Sequence, residues 1–474
     1  MSARRILIGI LACALLFAAR AHAVLPPRFG GVASVRIEDK ITVIDPAMAV
    51  RPDEFAVVLC VFEPLLKADA KGGIEPLLLD GMPKLSGDGL TYYFKLQKDI
   101  VFHDGSALDP ADIMHTVERV ARSRRSPYSW IFDSVEGAAE FRAGKARTIS
   151  GFKIVDSLRF EIKLKKKTSA FLKYLALPAA AVVPTNDRDF RPPIGTGPFK
   201  FLDMSAGGDI TLAAHTGHHQ GRPYLDGIKF KVFRSDDDAL VNFKAGELHI
   251  TSVPLDGLGK DAAAAFGKPV NGPMRIIWML DVNPSRAPLG KADARRAMAA
   301  AIDRRSIVNV VLNGNGRVEN NSGGASDTEP VKPAAAVSLW YPARGKAADF
   351  LAERLRHDLR AAGLNATPEA RKGDDLYRFT SDTAPGLVLR PLPMLLGLSE
   401  TVEKTLYSNG HKSSHSTLAL RLSGHDAANP SQHKFLVQFL FSQETGHIAH
   451  NGLRGFSVGA FNQPEFDAMF FRKR

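Results

Sequence analysis

Two groups of side chains in this sequence are of types that carry chemistry. His103 and Asp104 stand side by side in FHDG, and histidine and aspartate are both common general acids and bases. Adjacent residues on a turn point in different directions, so this pair forms no proton relay by itself. Asp-Gly is typical of turns, because Asp bonds its own backbone and Gly adopts positive φ. An exported hydrolase that uses His103 and Asp104 is one hypothesis, and a structural turn is the one we favour.

The second group consists of His215, His218 and His219 in the segment HTGHH. Imidazole is a common metal ligand, but this glycine-flanked loop has no Cys or carboxylate near it in the sequence. The segment therefore predicts a solvated turn, and no metal or cofactor is expected. The sequence also lacks the HExxH, GxSxG and P-loop patterns that would indicate a zinc site, a nucleophile or a phosphate site.

Strand-like and helix-like segments alternate around these residues. Residues 90–97 alternate as a strand, and Asp109 and Pro110 are of the types that begin a helix. The segment FKIVDSLRFEIKLK alternates as two antiparallel strands around a turn. A long helix is predicted at 292–312. Strands and helices at this spacing indicate an α/β fold.

Length and composition limit the function classes. A chain of 474 residues exceeds one ordinary core, so two or more lobes are expected. The formal charge of +12 is dispersed, and no interleaving of aromatic and basic residues indicates a nucleic-acid partner. Cysteine occurs at Cys13 and Cys60, and the apolar run around Cys60 predicts a buried hydrophobic residue.

The first 23 residues have the pattern of a secretory signal. A basic start precedes an apolar run of 14 residues, too short to span a bilayer comfortably, and small residues follow at Ala21 and Ala23. Cleavage after Ala23 would release a soluble protein into the periplasm. Lipid anchoring at Cys13 is the alternative, which the apolar residues beyond Cys13 disfavour.

Dispersed but collinear segments resemble the family 5 extracellular solute-binding proteins, the peptide- and nickel-binding components of ABC importers. Among the matching segments are FEPLLKADAKGGIEPLLLDG, GLTYYFKLQKDIVFHDGSALDPADI, PIGTGPFKF, GRPYLDGIKFKVF and DARRAMAAAIDRRSIV. The resemblance covers about residues 40–315, and GHDAANP and FNQPEFDAM extend it loosely over 418–470. In that family FHDG is a structural turn, so the resemblance implies that His103 and Asp104 are scaffold residues.

The resemblance implies an α/β fold, the two-lobed periplasmic-binding-protein clamp of type II, with an extra subdomain inserted in the first lobe. Ligand would be enclosed between the lobes by closure about a hinge. We place the signal peptide at 1–23, the first lobe at 24–50 and 180–265, the inserted subdomain at 51–179, the second lobe at 266–460 and a short return toward the first lobe at 461–474.

The resemblance also implies a ligand site. In peptide-binding members a second-lobe carboxylate four residues before a proline pairs with the α-amino group of the ligand. DAANP places Asp426 four residues before its proline, and a carboxylate in a closed cleft favours an ammonium partner. The same wall would be lined by Ser423, Gly424 and His425. Trp278 would face it from the hinge side. The alternative for Asp426 is a solvated loop acid.

Two departures from the family pattern bear on the ligand. Ser423 stands where peptide-binding members usually have tryptophan, and the chain ends soon after its last matching segment. The prediction is a monomeric solute-binding protein that delivers a peptide or peptide-like ligand to the permease of an ABC importer. The alternatives are a nickel chelate, an opine or another small solute in the same fold, and a degenerate clamp that serves as an interaction protein.

Overall fold

The computed structural model of the chain describes residues 28–69, 71–123, 126–186, 190–257, 265–319, 330–332, 334–377, 385–393, 437–461 and 463–471. The strands of these residues are β1 (Val32–Ile37), β2 (Leu66–Ala68), β3 (Ile74–Pro76), β4 (Lys84–Leu85), β5 (Thr91–Lys95), β6 (Phe152–Ile154), β7 (Arg159–Lys163), β8 (Phe199–Met204), β9 (Ile210–Ala214), β10 (Gly227–Val232), β11 (Ile250–Ser252), β12 (Gly267–Val282), β13 (Arg317–Val318), β14 (Ala335–Pro342), β15 (Leu364–Arg371), β16 (Leu387–Pro393), β17 (Val437–His450), β18 (Leu453–Arg454), β19 (Ser457–Val458), β20 (Pro464–Glu465) and β21 (Phe470–Phe471).

The helices of the same residues are mostly short. They are α1 (Pro52–Val61), α2 (Pro110–Arg122), α3 (Ala138–Arg142), α4 (Phe171–Tyr174), α5 (Asp236–Lys244), α6 (Ala292–Ala301), α7 (Arg304–Ser306), α8 (Lys346–Ala361) and α9 (Gly373–Tyr377), with 3₁₀ turns at Pro46–Met48, Ser129–Phe132 and Pro178–Ala180 and a π-helical turn at Ile307–Val311. Within the described ranges, none of the helices combines the length and the apolar character needed to cross a membrane.

One mixed sheet runs through both halves of the molecule. Its strand order is β15-β14-β16-β12-β17-β11-β1-β10-β9-β8, and β13 pairs with β17. We call the half with β1 and β8 to β11 the first lobe, and the half with β14 to β16 the second lobe. The antiparallel pair β12 and β17 joins them, because β17 contacts β11 and β12 contacts β16. Two half-sheets with a two-stranded connection are the arrangement that a hinged clamp requires.

Each lobe packs its own apolar core. The first core includes residues of β1 and β10 and of the separate sheet β4-β5-β7-β6, and the second is formed around β12, β14, β16 and α8. Phe461, Phe466 and Met469, near the end of the chain, belong to the first core. The four-stranded sheet lies within the segment 51–179 but shares this core, so the predicted domain boundaries stay predictions.

The helix after the FHDG turn begins where the sequence predicts. Asp109 is the N-cap of α2, and its carboxylate accepts hydrogen bonds from the backbone N–H groups of Ala111 and Asp112. The Asp112 carboxylate accepts from the Asp109 N–H in return, which completes a capping box. Pro110 occupies the first helical position, where its missing N–H costs nothing. Local side-chain chemistry alone therefore fixes this boundary.

The single long helix predicted at 292–312 is wrong. Helix α6 ends at Ala301, and Ile302 is extended with φ −74° and ψ 112°. Asp303 then caps a new turn by accepting from the Ser306 N–H, while its own N–H donates to the carboxylate of Asp358 on α8. Asp competes with helical hydrogen bonds through such local contacts. The apolar periodicity continues across this break, so the sequence pattern does not reveal where the helix ends.

Candidate functional site

The interlobe cleft lies at the carboxyl ends of parallel strands from both lobes. In the first lobe the parallel strands β1 and β10 are followed by residues 38–39 and 233–236. In the second lobe the parallel strands β14 and β15 are followed by residues 343–346 and 372–376. Open α/β sheets bind ligands outside the carboxyl ends of their strands. Here the carboxyl ends of two half-sheets meet, so one ligand could contact both lobes.

Arg344 of the second lobe joins two carboxylates of the first. Its guanidinium lies 2.8 Å from Glu38 Oε1 and 3.2 Å from Asp236 Oδ1. The backbone N–H of Asp236 donates to the Arg344 carbonyl, and the Asp236 carboxylate also pairs with Arg36 at 2.7 Å. The side chains of Arg344 and Asp236 are 14% and 10% exposed. Because little water reaches them, this pair is screened less than a surface ion pair.

The pKa values of the two partners show that both are charged in this contact. Burial raises the pKa of Asp236, but the nearby guanidinium groups of Arg344 and Arg36 outweigh burial, so its pKa lies below the ordinary range. Burial lowers the pKa of Arg344, but Asp236 and Glu38 outweigh it, so the net shift is upward. The Arg344–Asp236 pair is therefore charged at neutral pH. At Glu38, by contrast, burial outweighs the guanidinium groups of Arg344 and Arg36 and raises the pKa of the carboxyl.

A second contact between the lobes is made by a backbone group. The Gly373 N–H, at the start of α9, donates to Asp39 Oδ2 at 2.6 Å, and Asp39 also pairs with Arg234 at 2.8 Å. A Cβ atom at Gly373 would lie 2.5 Å from Arg51 Nη1. The missing side chain therefore allows the second lobe to approach this closely.

Two cavities lie beside Arg344 in the cleft. The smaller measures about 50 Å³, and its walls include Glu38, Asp39, Arg51, Arg234, Trp278, Arg344, Arg371 and Leu376. The larger measures about 690 Å³, and its walls include Asp236, Asp237, Leu240, Asp256, Val310, Arg344, Lys346 and Phe350. Sites for small ligands usually measure about 300–1,000 Å³. The larger cavity has the volume for a short peptide, whereas the smaller has room for water.

Trp278 lies on β12, in the two-stranded connection between the lobes, and lines the smaller cavity. Its side chain is almost completely buried, and its ring stacks on Phe441 with centroids 5.7 Å apart. The indole N–H donates to Gln443 Oε1 at 3.0 Å. The structure thus puts Trp278 on the hinge side of the cleft with its polar atom already partnered, and its contact with ligand stays a prediction.

The remaining predicted site residues, Asp426, His425, Gly424 and Ser423, lie outside the described residues. Their place on the second-lobe wall stays a prediction from the family pattern.

The sequence analysis did not predict Arg344, Asp236 and Gly373 as residues of the site. A signal was available, since the strand-like runs VSLWY and IKFKVF precede Arg344 and Asp236, and residues that follow strands in an α/β pattern are expected in the cleft.

The FHDG turn packs against the connector that contains Gly195 and Gly197. The His103 Nε2–H donates to the Gly197 carbonyl at 2.9 Å, and His103 Nδ1 accepts from the Gly195 N–H at 3.4 Å. The carboxylate of Asp104 accepts from the backbone N–H and the hydroxyl of Ser106. Both ring nitrogens and the carboxylate thus hold local backbone in place, which supports a structural role for His103 and Asp104.

We expect the variant His103→Gln to flatten the pH dependence of stability between pH 6.5 and pH 4. Burial, with smaller effects of His215 and Lys200, lowers the pKa of His103 from 6.5 to about 4, against the opposing effects of the Gly197 carbonyl and Glu63. Between those pH values the unfolded chain binds the extra proton, so stability is complete above pH 6.5 and falls on acidification. The loss is on the order of 3 kcal/mol by pH 4.

Urea unfolding of wild type and His103→Gln across this pH range measures the difference in slope. Glutamine keeps an N–H donor for the Gly197 carbonyl but does not titrate, so other titrating groups cancel in the comparison. Parallel curves for the two proteins would show that His103 is not held neutral by the fold.

The solvated turn predicted for HTGHH is wrong. His215 and His218 are 3% and 7% exposed. The carboxylate missing from the nearby sequence is Glu63, 155 residues from His218, whose Oε1 lies 2.9 Å from His218 Nε2. Glu63 Oε2 lies 3.1 Å from His219 Nε2. Packing of the loop between β9 and β10 against the end of α1 creates this cluster, and the spacing of these residues in the sequence does not predict it.

Comparison with known proteins identifies similar chains. The family described as Bacterial extracellular solute-binding proteins, family 5 Middle, matches residues 73–375. The oligopeptide-binding protein AppA of Bacillus subtilis (strain 168) is 28% identical over 271 residues, which cover 54% of this chain and 46% of AppA. The nickel-binding periplasmic protein of Escherichia coli (strain K12) is 24% identical over 329 residues, or 66% of this chain and 58% of that protein. The chain thus matches about half the length of these curated relatives.

A solved structure extends the likeness to the whole fold. AppA from Bacillus subtilis in complex with a nonapeptide superimposes with a TM-score of 0.76 at 16% identity, covering 94% of this chain and 100% of that one. This likeness confirms the predicted fold class, the two-lobed type II periplasmic-binding-protein clamp.

Proposed function

Since the chain belongs to family 5 of the bacterial extracellular solute-binding proteins, we propose that it captures a peptide or peptide-like solute between its lobes and delivers it to the permease of an ABC importer. The observation that carries this proposal is the bridge from Arg344 to Glu38 and Asp236, beside a cavity large enough for a short peptide. A clamp must close on solute and release it again, and this cleft has groups suited to both steps.

The polar character of the contacts between the lobes favours reversible closure. Ion pairs and the Gly373–Asp39 hydrogen bond join the lobes. The apolar contact beside them is small, with Leu376 of α9 packing near Val50 of the first lobe. Charged side chains regain water when the lobes separate, whereas a large apolar interface would oppose opening. Delivery to a permease requires such opening.

The charges of the larger cavity suit a solute with both an amino and a carboxyl group. Asp237 and Asp256 lie on its first-lobe wall, and Lys346 lies on its second-lobe wall. Charges of both signs around one cavity suit a zwitterion, and within it we assign the amino group of the ligand to Asp426, as the family pattern implies. We therefore favour a peptide over a nickel chelate or another small solute, although the nickel-binding relative keeps the chelate as the alternative.

The remaining properties follow from the same proposal. We propose that the mature protein begins at Val24 after export, works in the periplasm as a monomer and has no catalytic residue. His103 and Asp104 then act only on stability. A degenerate clamp that binds no solute and serves as an interaction protein is the second alternative.

The test is native mass spectrometry of the exported protein, followed by calorimetry with trialanine and N-acetyltrialanine. We expect an additional mass that is lost on unfolding, and tighter binding of the free-amino peptide. A bound non-peptide solute would favour the alternative ligand. Absence of both a bound solute and any affinity for short peptides would favour the degenerate clamp.

A further inference from the structure

We propose that Glu63, His218 and His219 form a binding site for one divalent transition-metal ion, such as zinc, in the first lobe and separate from the cleft. Each of the three residues offers one ligand atom, and these atoms lie within 4.8 Å of one another. Two imidazoles and one carboxylate are a known zinc ligand set, in which a fourth position is left for water. The inference does not depend on the proposed function.

The distances from the carboxylate to the two imidazoles fit a shared ion. Glu63 Oε1 lies 2.9 Å from His218 Nε2 and 3.2 Å from His219 Nε2, and the ligand atoms of the two histidines lie within 4.8 Å of each other. Ligands bound at about 2.1 Å, with angles of 90–109° between them, are separated by about 3.0–3.4 Å. An ion can therefore replace the protons now between these atoms with small side-chain movements.

The surroundings hold these side chains in place. The side chains of His218, His219 and Glu63 are 3%, 6% and 6% exposed. The Thr196 hydroxyl donates to Glu63 Oε2 at 2.9 Å, which orients the carboxylate. Such outer hydrogen bonds accompany metal ligands and fix their orientation.

A small cavity lies beside Glu63, one of the three proposed ligands. It measures about 80 Å³, and Lys67, Gln220 and Asp467 also line it. A volume of this size admits at least one water molecule, which could complete the coordination of the ion. Asp467, which lines this cavity, is itself exposed to solvent.

The ligand types select the class of metal. Imidazole nitrogen favours zinc, copper and nickel, whereas calcium and magnesium require mostly oxygen ligands.

The site is also distant from the cleft. Arg51 lines the cleft at one end of α1, and Glu63 follows the other end of this helix of 10 residues, a span of roughly 15 Å. Zinc and solute can therefore bind independently.

The experiment is calorimetric titration of zinc chloride into the untagged, exported protein after removal of metal with a chelator. We expect one zinc ion per chain, because the three residues supply one set of ligand atoms. His219→Gln should weaken zinc binding by at least about 100-fold, since loss of an outer hydrogen bond alone costs roughly 10–100-fold. Thr196→Val removes that outer hydrogen bond and should fall within the smaller range.

The matched control is His357→Gln, which removes a histidine whose side chain is 83% exposed and should leave zinc affinity unchanged. Cobalt binding to wild type should give a visible absorption band that His219→Gln lacks. Zinc affinity in His219→Gln equal to wild type, an equal loss in His357→Gln, or no zinc binding by wild type would each overturn the site. If His219→Gln does not fold, a zinc affinity of Thr196→Val equal to that of wild type would overturn the proposed site. Peptide affinity should be equal in wild type and His219→Gln, which separates this test from that of the proposed function.

Discussion

Replacing Arg344 with glutamate is expected to weaken solute binding by at least about 100-fold, or roughly 2.7 kcal/mol. The new carboxylate would face Glu38 and Asp236, the two acids that Arg344 now joins at 2.8 Å and 3.2 Å. Like charges brought together at an interface cost several kcal/mol. That cost applies to the closed state, because separated lobes leave these carboxylates in water. Solute binding that requires closure is weakened by the same free energy.

A milder substitution at the same position separates loss of attraction from repulsion. Arg344→Gln removes the guanidinium but adds no charge, and Asp236 keeps its partner Arg36 at 2.7 Å. The expected loss is therefore near the lower end of the 2–5 kcal/mol typical for a truncated buried pair, about thirtyfold in affinity. Arg344→Gln should thus lie between wild type and Arg344→Glu.

The matched control is Arg356→Glu on α8. Arg356 pairs with Glu353, and both side chains are about half exposed, so the change in charge is the same but lies away from the cleft. Its solute affinity should remain within about twofold of wild type.

Calorimetry measures the solute affinity of each variant. Small-angle X-ray scattering without added solute should give a larger radius of gyration for Arg344→Glu alone. Equal affinity and equal scattering for wild type and Arg344→Glu would show that this bridge does not hold the lobes together.

The parts of the fold that depend on local chemistry were predictable from the sequence. The N-cap at Asp109 and the strands around 91–95 and 152–163 lie where residue types and periodicity place them. The break at Ile302 was not predictable, because the apolar period continues through it while Asp303 bonds both within its own turn and to Asp358. A single sequence shows that Asp can cap a turn, but not that a distant carboxylate accepts its N–H.

The contacts in the cleft and in the histidine cluster could not be predicted from the spacing of residues along the chain. Gly373 and Asp39 meet across 334 residues, and His218 and Glu63 across 155. Such contacts are fixed by the order of strands in the sheet, which brings segments together irrespective of their separation along the chain. The family resemblance supplied the two-lobed fold and therefore the cleft. It did not supply Arg344 or Glu63, whose roles follow from which side chains meet after folding.

Asp426→Asn is expected to weaken binding of trialanine by at least about thirtyfold while leaving N-acetyltrialanine unaffected. Asparagine keeps the shape of the side chain and removes its charge, and truncating one partner of a desolvated charge pair costs roughly 2–5 kcal/mol. N-acetylation removes the other partner, so wild type should lose affinity for that peptide by a similar factor. In the variant the two peptides should bind alike, which makes the difference between the proteins a direct measure of the pair.

The comparison variant is Asp237→Asn, because Asp237 lines the larger cavity from the first lobe and is exposed there. If the ligand's amino group pairs with Asp426, Asp237→Asn should discriminate between the two peptides as wild type does. Loss of discrimination in Asp237→Asn, with discrimination retained in Asp426→Asn, would move the amino group to the first-lobe wall. Equal affinity of wild type for both peptides would instead remove any carboxylate partner for the amino group, and the smaller, non-peptide solutes would then become the better candidates for this cleft.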